Sequence, residues 1–473
     1  MNDITAIFAF LKYCLGYKRN MSRMIAGMDW QELYSFASKQ ALLGLSFEGI
    51  ERLGKEYPEE LKRNPIGREL LMTWMGKAQQ IRRQNMKVNA VASKLYSMLR
   101  EDGLRSCILK GQGNALIYPN AYSRNPGDID VWVNASRERI MEYAQKKFEL
   151  GDDIRLQHLE TSLDGVPVEL HFFPCSMNNP IYHARLQKWF RRNADLQCSH
   201  IVGLPDGAGD IAIPTTAFNV VYQLTHLYHH FFDEGIGMRQ IIDYYYVVCD
   251  FYKVYQNSSK ITPSLFFDKA SCTRQFESEL SLHSLASLFP LKGGSTSHPD
   301  PLTLRGEGGN RPTRCSEPLR SKDGGPSKVS PDCAGWDRLS IEGDNSAGST
   351  TVVTSYASTA LDVAQRELKY LGLWKFAGAV MYVLKEVLGL SEDKMIVPVD
   401  EKRGRLLLAE ILDGGNFGRH FSKYGGFTHQ SMGKKYFLKI WRNMHFVRYY
   451  PAEALCEPLF RTWHFFWRLK YKK

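Results

Sequence analysis

The chain has 473 residues, of which 44% are hydrophobic and 12% aromatic, as in packed globular proteins of two or three domains. The net charge of +11 favours anionic partners such as nucleotides, nucleic acid or lipid headgroups. The nine cysteines include no Cys-x-x-Cys pair, and no apolar run could span a bilayer, so zinc frameworks, disulfide scaffolds and membrane spans are not indicated. The odd cysteine count, and the lack of a basic segment before the apolar stretch 4–16, predict a cytoplasmic protein.

The N-terminal region, residues 1–99, is predicted to be helical. Leu70, Leu71, Trp74 and Met75 recur at helical spacing. A long helix is expected to end at residues 101–103 and to lead into a mixed core at residues 100–212.

Residues 104–118 predict a strand, a glycine-rich turn and a short helix that begins near Asn114. Gly111 and Gly113 let the backbone approach a ligand closely. The free N–H groups of a helix start attract anions, and Lys110 adds a positive charge at the end of the strand. The alternative is an ordinary strand-to-helix connection without a ligand.

A pair of acids follows a chain break at Pro126 and Gly127, and predicts the start of a strand. Because residues i and i+2 share one face of a strand, Asp128, Asp130 and Trp132 should lie together. Two adjacent carboxylates repel each other and resist burial, and a Mg²⁺ ion with its preference for oxygen ligands would relieve both costs. The alternative is a pair of solvated acids on an edge strand.

A hairpin is predicted around Asp164 and Gly165, which separate two alternating segments. On its second strand, Glu169 and His171 should face the same side. Glu169 is then a candidate third carboxylate beside the Asp pair, and three converging acids can hold the two metal ions used in nucleotidyl transfer. The alternative is an exposed strand face.

Several of these segments together resemble a known family. They are Leu109-Lys110-Gly111, Tyr118, Arg124, Gly127-Asp128-Ile129-Asp130, Val168-Glu169-Leu170-His171, Gly237-Met238-Arg239, Asp243, Leu373-Trp374-Lys375-Phe376 and Gly415-Asn416-Phe417-Gly418. The chain resembles the bacterial uncharacterised nucleotidyltransferase family of the polymerase-beta-type superfamily. This resemblance implies an α+β fold, in which a small mixed sheet is flanked by helices. It also implies a nucleoside triphosphate donor, expected to be ATP, and Mg²⁺ as cofactor.

The resemblance also implies roles for individual residues. Asp128, Asp130 and Glu169 would be the catalytic, metal-binding acids. The nucleotide would be bound by Lys110, Gly111, Gln112 and Arg124. Lys110-Gly111 stands where the superfamily usually carries Gly-Ser. The implied activity is Mg²⁺-dependent transfer of a nucleoside monophosphate to an unknown acceptor. The alternative is a non-catalytic nucleotide-binding or antitoxin-like partner protein.

A second helical region is predicted at residues 213–280, with a helix start at Pro214 and Thr215. His226 and His230 lie four residues apart on one helix face, which is metal-ligand spacing. With Asp233 or Asp243 they could form the metal centre of a hydrolase. The alternative is that the histidines line a helix interface. Arg239 and Asp243 either pair with each other or border the nucleotide cleft.

Gly, Ser, Pro and Thr dominate residues 281–360, which predicts a disordered insert, either a linker or an accidental in-frame insertion. Helical periodicity returns in the C-terminal region, residues 361–473. Basic and aromatic residues alternate in the segment 434–473. This pattern is compatible with binding to single-stranded nucleic acid, with an anionic membrane surface, or with a terminal amphipathic helix packed on the body of the protein.

Overall fold

The computed structural model describes residues 3–18, 20–150, 155–256, 360–421 and 432–471. All of them belong to one compact unit built from residues 1–262 and 348–473. The predicted insert at 281–360 lies outside the described residues except for residue 360, which is helical.

The N-terminal part is helical, as predicted. Its helices are α1 (Asp3–Cys14), α2 (Ser22–Ala26), α3 (Trp30–Lys39), α4 (Leu43–Glu56), α5 (Pro58–Arg63) and α6 (Arg68–Glu101). Helix α3 begins where the Asp29 side chain accepts hydrogen bonds from the Gln31 and Glu32 amides, which satisfies N–H groups that the helix leaves unpaired. The indole N–H of the buried Trp74 donates to the Leu43 carbonyl at 3.0 Å and joins α6 to α4.

The central sheet is mixed and has four strands in the order β1-β2-β4-β3. The strands are β1 (Ser106–Leu109), β2 (Ile129–Val133), β3 (His158–Leu163) and β4 (Val166–His171). Strands β2 and β4 are parallel, and the other neighbours are antiparallel. The predicted hairpin is confirmed: Asp164 and Gly165 form its two-residue turn, with φ of 49° and 71°.

The short helix after β1 differs from the prediction. Helix α7 is Gly111–Ala115, so it does not begin near Asn114 but directly after the strand. Lys110 and Gly111 both have positive φ, 49° and 43°, and this reverses the chain within two residues. The consequence is that Lys110 lies at the junction itself, next to the neighbouring strand.

The two faces of the sheet have different partners. Ile129, Val131 and Val133 of β2 belong to a buried apolar cluster with residues of α6, the other strands and α8 (Arg137–Lys147). On the opposite face, the Trp132 ring stacks on Phe218 at 6.3 Å and contacts Phe190 at 6.0 Å. The predicted alternation along β2 is therefore confirmed, and Asp130 shares the second face with Trp132.

The elements that cover this second face come next in the chain. They are α9 (Pro180–Ser199), which carries Phe190, and α10 (Thr216–Asp233), which carries Phe218. Between them lies a small sheet of β5 (Ile201–Gly203) and β6 (Asp210–Ala212), whose Ile211 and Ala212 belong to the apolar cluster of the first face, and α10 is followed by α11 (Met238–Gln256). Helix α10 begins at Thr215, whose hydroxyl accepts a hydrogen bond from the Phe218 amide, as the sequence predicted.

The C-terminal part is also helical. Residues 360–370 are helical, followed by α12 (Trp374–Leu388), α13 (Glu401–Gly414), α14 (Met432–Met444), α15 (Pro451–Ala454) and α16 (Glu457–Tyr471). Asp233 at the end of α10 accepts from Lys439 of α14 at 3.2 Å and from Arg461 of α16 at 3.1 Å. The C-terminal helices therefore pack on the body of the protein, which is one of the three alternatives for this segment, while Phe437, Trp441, Phe465 and Phe466 are exposed. No helix in the described ranges combines the length and the apolar character needed to cross a membrane.

Candidate active site

Three carboxylates meet on the polar face of the sheet. The register of the parallel strands places Asp130 of β2 directly beside Glu169 of β4, and Asp128 immediately precedes β2. The negative charge of Asp130, followed by burial and the charge of Glu169, raises the pKa of Asp128 to about 6. The three acids are therefore close enough to repel one another.

Two cationic side chains partly balance this charge. The Lys110 Nζ lies 3.0 Å from Asp130 Oδ2, and His171 Nε2 lies 3.0 Å from Asp130 Oδ1 and 3.1 Å from Glu169 Oε2. Burial by itself would raise the pKa of Asp130, but Lys110 and His171 outweigh it and hold that pKa well below its usual range. Burial would likewise lower the pKa of His171, whereas its hydrogen bonds to Asp130 and Glu169 raise it to about 9.

His158 is a site residue that the sequence reasoning missed. It lies opposite His171 across the hairpin, and its Nδ1 is 3.2 Å from Glu169 Oε2. Counting outward from the Asp164-Gly165 turn would have found it, because the two histidines are equally distant from that turn. Within the described ranges, His158, Glu169 and His171 form the one group of three such side chains whose ligand atoms lie close enough to hold a metal ion, all within 4.8 Å.

The oxygen donors of Asp128, Asp130 and Glu169 match the ligand chemistry of Mg²⁺, although their atoms do not lie as close together as those of His158, Glu169 and His171. The oxygens of Asp128, Asp130 and Glu169 are the hard ligands that this ion prefers. The raised pKa of Asp128 indicates that the cluster lacks positive charge, which a divalent ion would supply.

A cleft opens beside the acids. It is lined by Lys110, Gly111, Asn114, Arg124, Gly127, Asp128, Asp130, Gln223, His226, Leu227, Arg239, Gln240, Asp243 and Phe417. The structure thus brings Lys110, Gly111 and Arg124 to one cleft with Asp128 and Asp130, while Glu169 lies outside its lining. Gln112 is not among the lining residues, because its side chain is buried and donates to Asn89 of α6. Only the backbone of Gln112 is left for a role in nucleotide binding.

Arg124 and Asp243 form a buried ion pair at the cleft. Both hydrogen bonds of this bidentate pair are 2.8 Å long, and Tyr118 donates to the same carboxylate at 2.7 Å. Burial opposes ionisation of Asp243, but Arg124 outweighs it and lowers the pKa of that carboxyl. Asp243 therefore forms its ion pair with Arg124 of another segment. Of the two alternatives for Arg239 and Asp243, pairing with each other is not seen, and both residues line the cleft.

The histidine pair of α10 faces the same cleft. The Nε2 atoms of His226 and His230 are 3.1 Å apart, and the Lys110 Nζ lies 2.5 Å from His226. The two acids that the metal-hydrolase hypothesis requires are engaged elsewhere, Asp233 with Lys439 and Arg461 and Asp243 with Arg124. In the structure the two histidines contact each other, His226 contacts Lys110, and the His230 ring packs against Phe417 at 5.3 Å.

We expect the stability of the protein to fall with acid because of His158. Burial, followed by the charges of His171 and Arg155, lowers the pKa of His158 to about 2, so the folded protein holds this ring neutral. Unfolding then takes up a proton below pH ~6.5, the pKa of an unperturbed histidine. Between pH 6.5 and 4.5 this group should remove about 2–3 kcal/mol from the free energy of unfolding.

Urea denaturation at several pH values measures this contribution as the difference between wild type and His158→Phe. The exposed His445 provides the matched control, because His445→Gln should keep the wild-type pH dependence. An identical pH slope for wild type and His158→Phe would contradict the prediction.

Residues 26–261 match the family model of the uncharacterised nucleotidyltransferases. The matched residues contain all three acids and all four strands of the central sheet. The chain belongs to this family. No curated protein and no solved structure matches it.

Proposed function

We propose that the protein is a Mg²⁺-dependent nucleotidyltransferase, which moves a nucleoside monophosphate from a triphosphate, expected to be ATP, to a hydroxyl of an unknown acceptor. The observation that carries the proposal is the convergence of Asp128 and Asp130, which line a cleft together with cationic side chains, with Glu169, which lies beside Asp130 on the neighbouring strand. Membership in a nucleotidyltransferase family supports the same reaction class.

In this reaction the acceptor oxygen attacks the α-phosphorus, a new P–O bond forms, and the bond to the leaving pyrophosphate breaks. Glu169 is the proposed base that takes the hydroxyl proton, unless it serves only as a metal ligand. Lys110 and the backbone at Gly111 are proposed to face the phosphates, whose negative charge must be neutralised as the pyrophosphate leaves.

Asp128, Asp130 and Glu169 are the residues that would hold Mg²⁺. When bound, the ion supplies positive charge at the reacting phosphate and at the leaving oxygen. His171 positions the acids, because its ring N–H contacts both Asp130 and Glu169. The Arg124–Asp243 pair holds the cleft wall in place through segments that lie more than 100 residues apart.

A specific contact favours the second candidate, a non-catalytic nucleotide-binding protein. Lys110 occupies Asp130 with a 3.0 Å ion pair, at the position where the superfamily usually carries Gly-Ser. A chain that kept this pair in the presence of nucleotide would bind the triphosphate without turning it over.

Two measurements test the proposal. Calorimetric titration of the four ribonucleoside triphosphates with Mg²⁺ should show binding to the wild type and weaker binding to Asp130→Ala. Triphosphates labelled at the α-phosphate, incubated with cell extract, should transfer their label only when Mg²⁺ is present. Binding without transfer to any component would favour the non-catalytic candidate. An absence of triphosphate binding would contradict both.

A further inference from the structure

The side chains of one lysine and two arginines line the cleft, and they differ in the groups with which they pair. Lys110 pairs with Asp130, and Arg124 pairs with Asp243. Arg239 of α11 is 8% exposed, yet no carboxylate in the described part of the chain lies within ion-pair distance of it. Its Nη1 donates to the Asn125 carbonyl at 3.1 Å, and its Nε has no hydrogen-bond partner there.

Such a side chain is costly to bury. The charges of Asp243 and Asp128 act on Arg239, but neither carboxylate forms an ion pair with it. A guanidinium that has lost most of its water and lacks a direct counter-ion contact is unfavourable unless an anion completes the site. Arg239 also lies next to the acids, because a Cβ added at Gly127 would be 3.9 Å from its Nη1. The unpaired charge is thus directed at the start of the segment that carries Asp128.

A ring from the distant C-terminal part covers the guanidinium. Phe417 lies with its ring centroid 5.5 Å from the Arg239 Cζ, and it lines the same cleft. The Phe417 backbone has a φ of 54°, so this residue adopts a conformation that is uncommon for a non-glycine residue. Phe417 lies outside residues 26–261, which match the family model.

Close backbone packing holds this ring in place. Gly237 precedes α11, and a Cβ there would come within 2.6 Å of the Asn416 Cα. A Cβ at Gly418 would overlap the Glu234 carbonyl, which the structure brings against that turn. The two segments, 234–237 and 415–418, therefore contact each other through glycines, and Phe417 is fixed over Arg239 as a result.

We propose that Arg239, held under Phe417, is an anion site that binds the β- and γ-phosphates of the incoming triphosphate. The proposal rests on the proposed function, since it names how that substrate is recognised. The guanidinium offers a planar fork of donors that suits phosphate oxygens, and the ring restricts its motion. Lys110 and Arg124 each form an ion pair with a carboxylate, whereas Arg239 forms none, so Arg239 is the cationic side chain best able to bind the β- and γ-phosphates alongside Lys110.

The test uses inorganic tripolyphosphate, ATP and adenosine as probes on the full chain, with Mg²⁺ present and binding measured by calorimetry. Arg239→Gln should weaken the binding of tripolyphosphate and of ATP by about tenfold or more, because charge-assisted hydrogen bonds are lost. Arg239→Lys should recover part of the affinity, since it keeps the charge and loses the fork. Arg191→Gln on the exposed face of α9 is the matched control and should bind as the wild type does.

A second variant keeps the proposal testable if the buried substitution unfolds the protein, which thermal melting would reveal. Phe417→Leu removes the ring and retains Arg239, and it should weaken the binding of tripolyphosphate about two- to fivefold. Unchanged tripolyphosphate binding in Arg239→Gln or in Phe417→Leu would overturn the proposal. A loss of affinity confined to adenosine would also overturn it, since that would place the base and not the phosphates over Arg239.

The failure of this inference is distinguishable from the failure of the proposed function. Tripolyphosphate binding is measured without turnover, so its dependence on Arg239 supports the inference even if no label transfer is detected. Conversely, transfer that depends on Asp130 and is unaffected by Arg239→Gln would leave the enzyme assignment in place and remove the anion site.

Discussion

Asp128→Asn is expected to reduce nucleotidyl transfer about a thousandfold or more, without destabilising the fold. The loss follows from removing a carboxylate that is proposed to bind the metal, since such a metal ion supplies several kcal/mol of transition-state stabilisation and each ~1.4 kcal/mol is a factor of ten. The pKa of Asp128 is raised to about 6, so the fold disfavours its ionised form. Above pH ~6 the variant removes an unfavourable charge, and it should melt at the same temperature as the wild type or higher.

The measurements are label transfer and thermal melting at pH 8 without Mg²⁺. Asp195→Asn is the matched control, because Asp195 is 77% exposed and its ion pair with Arg105 is on the surface. This control should keep full activity. Wild-type transfer by Asp128→Asn would refute the metal-site assignment. A lower melting temperature would refute the repulsion among the three acids.

Arg124→Met is expected to lower the free energy of unfolding by about 3–5 kcal/mol. Arg124 and Asp243 side chains are only 4% and 7% exposed, and the substitution leaves the carboxylate buried with Tyr118 as its remaining side-chain donor. Removing one partner of a buried pair costs more than removing both, because the remaining charge has no counter-ion.

Urea denaturation compares four proteins: wild type, Arg124→Met, Asp243→Leu, and the double variant. The double variant should recover a large part of the loss, and this coupling distinguishes a buried ion pair from a simple packing defect. Arg105→Met, which breaks the exposed pair with Asp195, should cost at most about 1 kcal/mol. An equal decrease in the free energy of unfolding for Arg124→Met and for this control would contradict the assigned role of the buried pair.

The geometry of the acids could be predicted in part, because part of it depends on short-range periodicity. Alternation along a strand placed Asp130 on the face of Trp132, and the two-residue turn at Asp164-Gly165 sets the register of its hairpin. The position of Glu169 beside Asp130 depends on the parallel pairing of β2 with β4, which no local pattern gives. The register of the hairpin places His158 opposite His171, yet a histidine carries no pattern of its own and was not singled out.

The helix after β1 shows where local reasoning was insufficient. The start of α7 was expected near Asn114, but positive φ at both Lys110 and Gly111 brings the helix to Gly111. A lysine in this conformation is uncommon, and no propensity rule predicts it. The result places the Lys110 ammonium on Asp130, which changes the picture of a lysine free to bind phosphate.

The family resemblance implied the α+β class. Local patterns predicted the carboxylate pair, the hairpin that carries the third acid, and the helices on either side of residues 104–171, because each depends on patterns within about twenty residues. Only the tertiary structure decided which charges meet. Arg124 pairs with Asp243 across 119 positions, and Phe417 reaches Arg239 from the far end of the chain. Such contacts depend on how helices pack on the sheet, and no periodic pattern in the sequence shows which distant residues that packing brings together.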